Sequence, residues 1–78
     1  MKTSIMTKIE AIIKVLRANN GKATLDDIYA QITMYYPNAK RSETWQEGIR
    51  GVLYRDMRKN NRIERIDEAT YMLKKERP

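Results

Sequence analysis

The sequence predicts a small α+β domain in which three helices precede a C-terminal β-hairpin. Three observations predict it. Apolar residues recur at helical spacing in three successive stretches, and capping and stop residues punctuate those stretches. The last stretch changes character, to Ile, Thr, Tyr and Leu on either side of Asp67-Glu68. All 78 residues are read as one domain, 1–78, with its core between about residues 4 and 75. A chain this short buries roughly 60% of its unfolded surface, enough for one modest core.

The first helix is expected from about Thr3 to Asn19. Ile5, Ile9, Ile12, Ile13 and Leu16 form one face, while Lys8, Glu10, Lys14 and Arg17 fall off it. Thr3 or Ser4 is the expected cap, and Asn20-Gly21 is a stop because both residues tolerate left-handed backbone. Gly21-Lys22-Ala23 then reads as a connector or a very short strand. Thr24 stands where an N-cap belongs, with Asp26 and Asp27 in the favourable first turn. Leu25, Ile28, Tyr29, Ile32 and Tyr35 or Tyr36 make the second stripe, which Pro37 closes at Tyr36.

Ser42 is the expected cap of the third helix, with Glu43 in its first turn and Asn60-Asn61 as its stop. At about 100° per residue, Trp45, Ile49, Val52 and Leu53 share one side. Glu47, Arg50, Gly51, Tyr54 and Arg58 share the other. The hairpin pairs Arg62–Ile66 with Ala69–Lys75. Tyr71 and Leu73 alternate toward one face, whereas Ile63 and Ile66, three apart, call for a bulge or a short first strand. Glu76-Arg77-Pro78 is expected to fray.

Composition narrows the function. Sixteen Lys and Arg against ten Asp and Glu leave +6, which favours anionic partners, nucleic acid first. The chain has no Cys and no His, so thiolate chemistry, Cys-based zinc and the commonest general base are excluded. No clustered pair of carboxylates replaces them, and the chain reads as a non-enzyme without cofactor, metal or small-molecule substrate. No apolar run reaches the ~18 residues of a membrane span, and no signal peptide is visible. A cytoplasmic, nucleoid-associated or nuclear protein, not a secreted one, is expected.

The element order helix, strand, helix, helix, strand, strand is that of a winged helix-turn-helix, which presents its third helix outward. Thr24-Leu25-x-x-Ile28-Tyr29-x-x-Ile32, Tyr35-Tyr36-Pro37 and Trp45-Gln46-x-x-Ile49-Arg50-x-x-Leu53 carry a further likeness. They resemble the forkhead group of winged-helix DNA-binding domains. They are also similar to small winged-helix modules beside restriction-enzyme and chromatin-associated domains. The resemblance covers about residues 5 to 74. It implies DNA binding by the third helix, as a small transcription regulator or the DNA-reading module of a larger protein. Arg50 matches a forkhead Arg. Where forkhead proteins read base edges with Asn and His, however, this sequence has Glu47 and Gly51. Glu47 can accept from cytosine but cannot make the bidentate adenine contact, and Gly51 has no side chain.

The expected interface with double-stranded DNA comprises Lys40, Arg41, Ser42, Thr44, Gln46, Glu47, Arg50, Gly51, Tyr54, Arg55, Arg58 and Lys59. Arg41, Arg50, Arg55, Arg58 and Lys59 would contact phosphates, aided by the helix amides near Ser42 to Trp45. Gln46, Glu47 and Tyr54 would be the few base readers, so specificity should be low. The plainer reading is a solvated helix, with Glu43 and Glu47 facing Arg50, and Asp56 facing Lys59 or Asn60. Gly48 at the core edge suggests close helix packing; Gly51 on the outer face suggests close approach of DNA or a partner chain. Tyr29, Tyr35 and Tyr36 read as core or core edge. The acidic tip Asp67-Glu68 argues for a wing held off the duplex. It also fits the alternative function: a module that docks on, dimerises with or inhibits a host or partner protein and does not bind DNA.

Overall fold

A computed structural model describes residues 7–74 and makes the first apolar stripe a helix, α1, over Lys8–Ala18. It begins later than expected. Thr7, not Thr3 or Ser4, is the cap, because Thr7 and Glu10 form a reciprocal capping box. Thr3, Ser4 and Ile5 lie outside the described residues, as do Lys75 and Glu76 to Pro78. The stop falls where it was expected. Asn20 and Gly21 take φ of 64° and 88°, and the Gly21 amide donates back to the Leu16 carbonyl at 2.7 Å.

The connector is a real strand, β1, over Lys22–Thr24. Thr24 then caps α2, Leu25–Gln31, in a second box closed by Asp27. The α-helix ends before Tyr36. The chain tightens into a 3₁₀ turn over Ile32–Met34 as it approaches Pro37, a common way to finish a helix. Helix α3, Trp45–Lys59, starts two residues after the expected Glu43. Ser42 is not its cap. The Ser42 Oγ instead accepts from the Thr44 amide and bonds the Thr44 hydroxyl, both at 3.1 Å, inside the preceding turn.

Strands β2 (Ile63–Asp67) and β3 (Thr70–Leu73) form the hairpin, and the antiparallel sheet runs β1-β3-β2. The register shifts between Arg65 and Asp67, which makes Ile66 the bulged residue and leaves it 42% exposed. That bulge resolves the three-residue spacing of Ile63 and Ile66. Ile12 and Leu16 from α1, Ile28 and Ile32, Ile49 and Leu53 from α3, and Ile63 and Tyr71 from the sheet close one core. Three helices beside a hairpin-ended sheet constitute a small winged-helix-like fold.

Asp56 is the unexpected core residue, 3% exposed. Its carboxylate does accept from Asn60 Nδ2, at 3.1 Å, but its principal partner is Arg62 rather than Lys59. Arg62 donates from Nη2 at 2.7 Å, from Nε at 3.0 Å and from its backbone amide at 3.3 Å. The last turn of α3 is thereby fastened to the entry of β2. This sets how the wing stands beside the helix.

Candidate nucleic-acid interface

Helix α3 buries Ile49, Leu53 and Asp56, and so turns the opposite residues outward. Gly51, Tyr54, Arg55, Arg58 and Lys59 line one open depression of about 470 Å³ on that side. Arg55, Arg58 and Lys59 are exposed, and none of them forms an ion pair among the described residues. Glu47 lies on the same stripe, one turn before Gly51. Gln46 is exposed but sits about 140° around the helix from Gly51, on the flank.

Arg50 is placed differently from its neighbours. It is half-buried, and its Nη1 donates to the Tyr29 hydroxyl at 3.0 Å. Neither Glu43 nor Glu47 bonds it among the described residues. Tyr29 packs edge-on against Trp45, with ring centroids 5.1 Å apart, and the Lys40 ammonium lies 4.9 Å from the Trp45 ring centre. Arg50, Tyr29, Trp45 and Lys40 thus form a chain of contacts that holds the 40–44 loop against α2 and α3. Arg50 braces the helix with the nitrogen that was expected to reach for phosphate.

Lys40, Arg41, Ser42 and Thr44 are exposed at the amino end of α3, roughly 20 Å along the helix from Lys59. Two of the amides expected to meet phosphate there are engaged within the loop. The Thr44 amide donates to Ser42 Oγ and the Trp45 amide to the Ser42 carbonyl, at 3.1 and 3.2 Å. The basic surface is therefore in two parts, a loop cluster and a stronger cluster on the carboxyl half of α3.

The two helical glycines also separate. A Cβ on Gly48 would meet only the tip of Lys8, at 3.4 Å, so close packing of helix backbones does not require this glycine. A Cβ on Gly51 would meet nothing within 4 Å. Glycine inside a helix costs about 1 kcal/mol relative to alanine. Gly51→Ala is therefore expected to stabilise the fold by about that amount and raise Tm by about 4–8 °C. A thermal melt showing no rise would contradict the vacancy.

Arg65 went unnoticed as a site residue. It pairs with Tyr71 across the hairpin, and directly opposed residues share a face, so Arg65 stands on the side of the wing that carries Tyr71. Counting alternate residues from the buried Ile63 would have found it. Tyr71 is 2% exposed, and burial pushes its hydroxyl above the usual 10.0. Tyr54 and Tyr29 push the same way, while Arg65 and Arg50 oppose them. The folded chain thus holds this proton more tightly than the unfolded chain. Its contribution to stability is complete below pH 10 and declines as pH rises beyond it. Urea midpoints measured against pH should show that decline, and Tyr71→Phe should flatten it. An equally steep fall in the variant would refute the assignment.

Compared with family models, curated proteins and solved structures, the chain matches none. Among the described residues, no three Asp or Glu side chains gather as a metal-binding group, and no helix is long and apolar enough to cross a membrane.

Proposed function

We propose that this chain binds double-stranded DNA through the outer face of α3. The observation that carries the reading is the grouping of Arg55, Arg58 and Lys59, exposed and without carboxylate partners, around Gly51 and Tyr54. A helix anchored by Ile49 and Leu53 can offer that cluster to a polyanion without disturbing the core. Lys40 and Arg41 extend the basic surface at one end, and Arg65, midway along β2, adds a cation on the wing. The resemblance to winged-helix DNA-binding domains supports the same reading, with the chain acting as a regulator or as a DNA-reading module inside the cell.

Phosphate contacts dominate this interface, and Glu47 and Tyr54 are the base readers left once Gln46 is placed on the flank. Low sequence specificity follows, since phosphate contacts position a protein while base contacts specify it. Docking on a partner protein is the second reading; the exposed Ile66 beside the acidic tip Asp67-Glu68 favours it.

A salt titration separates the two. Each phosphate neutralised contributes about −0.9 to the slope of log K against log salt, so three to five contacts give about −3 to −5 on a random duplex. No binding to duplex at low salt, or an affinity indifferent to salt, would remove the DNA reading.

A further inference from the structure

We propose that the depression between Gly51 and Tyr54 seats an unpaired base, so that DNA with a locally unpaired nucleotide binds better than fully paired duplex. The inference rests on the DNA-binding reading of the same face and names what that face prefers.

Gly51 is the first ground. It lies mid-helix, its φ is not positive, and a Cβ there would meet nothing within 4 Å. Neither backbone geometry nor packing within the chain accounts for a residue that weakens the helix. The open space beside it is what glycine provides.

Tyr54 is the second. It is 47% exposed and lines the same depression. Long and aromatic side chains on a helix lean back over the preceding turn, which for Tyr54 is the turn of Gly51. A Cβ at position 51 would stay more than 4 Å from that ring, whereas a long side chain there would fill the space beside it. The neighbouring aromatics are engaged elsewhere: Trp45 packs on Tyr29 beneath Lys40, Tyr29 accepts from Arg50, and Tyr71 is buried.

The charges supply the third ground. Arg55, Arg58 and Lys59 line the same depression, so a planar group against Tyr54 would have cations beside it for its flanking phosphates. An aromatic face set in a basic groove is the arrangement that holds single-stranded nucleic acid, because every base has a π-face. Inside a duplex those faces are covered by neighbouring base pairs, and only an unpaired nucleotide can present one. The depression, about 470 Å³, falls in the size range of small-ligand sites. Stacking reads no base edge, so little preference among the four bases is expected.

The test compares three fluorescently labelled probes by anisotropy: a paired duplex of about 20 base pairs, the same duplex with one bulged adenine, and one of its strands alone. Tyr54→Ala and Gly51→Gln are measured beside the unaltered chain. Both positions are solvent-facing, and glutamine is a better helix former than glycine. The bulged duplex is expected to bind about tenfold tighter than the paired one. Both variants should lose that difference, weakening on the bulged duplex about tenfold more than on the paired one. Equal binding of bulged and paired duplex by the unaltered chain overturns the inference and leaves the DNA-binding reading intact. So does a Tyr54→Ala variant that weakens on both duplexes alike, because Tyr54 would then be a backbone contact. Binding to none of the probes overturns the inference together with the reading beneath it.

Discussion

Replacing Asp56 with alanine is expected to cost about 2–3 kcal/mol of stability, the largest loss from any single polar side chain described above. Removing one member of a fully buried ion pair costs about 3–5 kcal/mol. The lower figure applies because the Arg62 side chain is 43% exposed and regains water when its partner goes. What remains is the loss of an acceptor serving Asn60, the Arg62 guanidinium and the Arg62 backbone amide at once. For a domain of this size the change corresponds to a fall in Tm of about 10–20 °C. Circular dichroism melts will measure it. Asp56→Asn, which keeps one acceptor oxygen, should lose less. A loss under about 1 kcal/mol for the alanine variant would mean that the carboxylate does not fasten the wing.

Exchanging Arg55, Arg58 and Lys59 together for glutamine should leave the fold in place and remove most DNA affinity, about a hundredfold if each contact is worth about 1 kcal/mol. The salt slope should shrink by nearly 3 units, one for each charge withdrawn. Stability should change little. Glutamine is as good a helix former as Lys or Arg, and the cost is a few tenths of a kcal/mol for charges lost at the negative end of the helix dipole. Lys14→Gln with Lys22→Gln is the control, since these exposed residues lie on other elements. If that pair reduces slope and affinity as much per charge as the triple exchange, binding follows net charge, and the face proposed for α3 has no special part in it.

Features governed by near neighbours were legible in the sequence. Ile9, Ile12, Ile13 and Leu16 mark the buried side of α1, Thr24 caps α2 within a box completed three residues later, and Asn20-Gly21 ends α1 in left-handed backbone. The spacing of Ile63 and Ile66 announced the bulge. The start of α1 was legible as well, since the Thr7-x-x-Glu10 box stands in the sequence. Thr3 and Ser4 were simply earlier candidates of the same chemistry.

The site was less legible, and the residues that departed from expectation share a cause. Arg50 reaches Tyr29, 21 positions away, and Arg65 takes its facing from a strand partner beyond the hairpin turn. Asp56 is satisfied by a residue past the end of its own helix. Ser42 spends its hydroxyl on a turn. Helix periodicity sorted the outer face of α3 apart from Arg50, because a helix repeats every 3.6 residues whatever surrounds it. Which arginine stays available for a ligand depends on the polar groups that neighbouring elements bring within about 3 Å. By itself, then, the sequence determined the three helices, the hairpin, the apolar faces and the basic excess. Only the tertiary structure decided that Arg50 braces while Arg55, Arg58 and Lys59 face solvent. Hydrogen bonds and ion pairs are short-ranged and directional, so their partners are settled by proximity in space rather than along the chain.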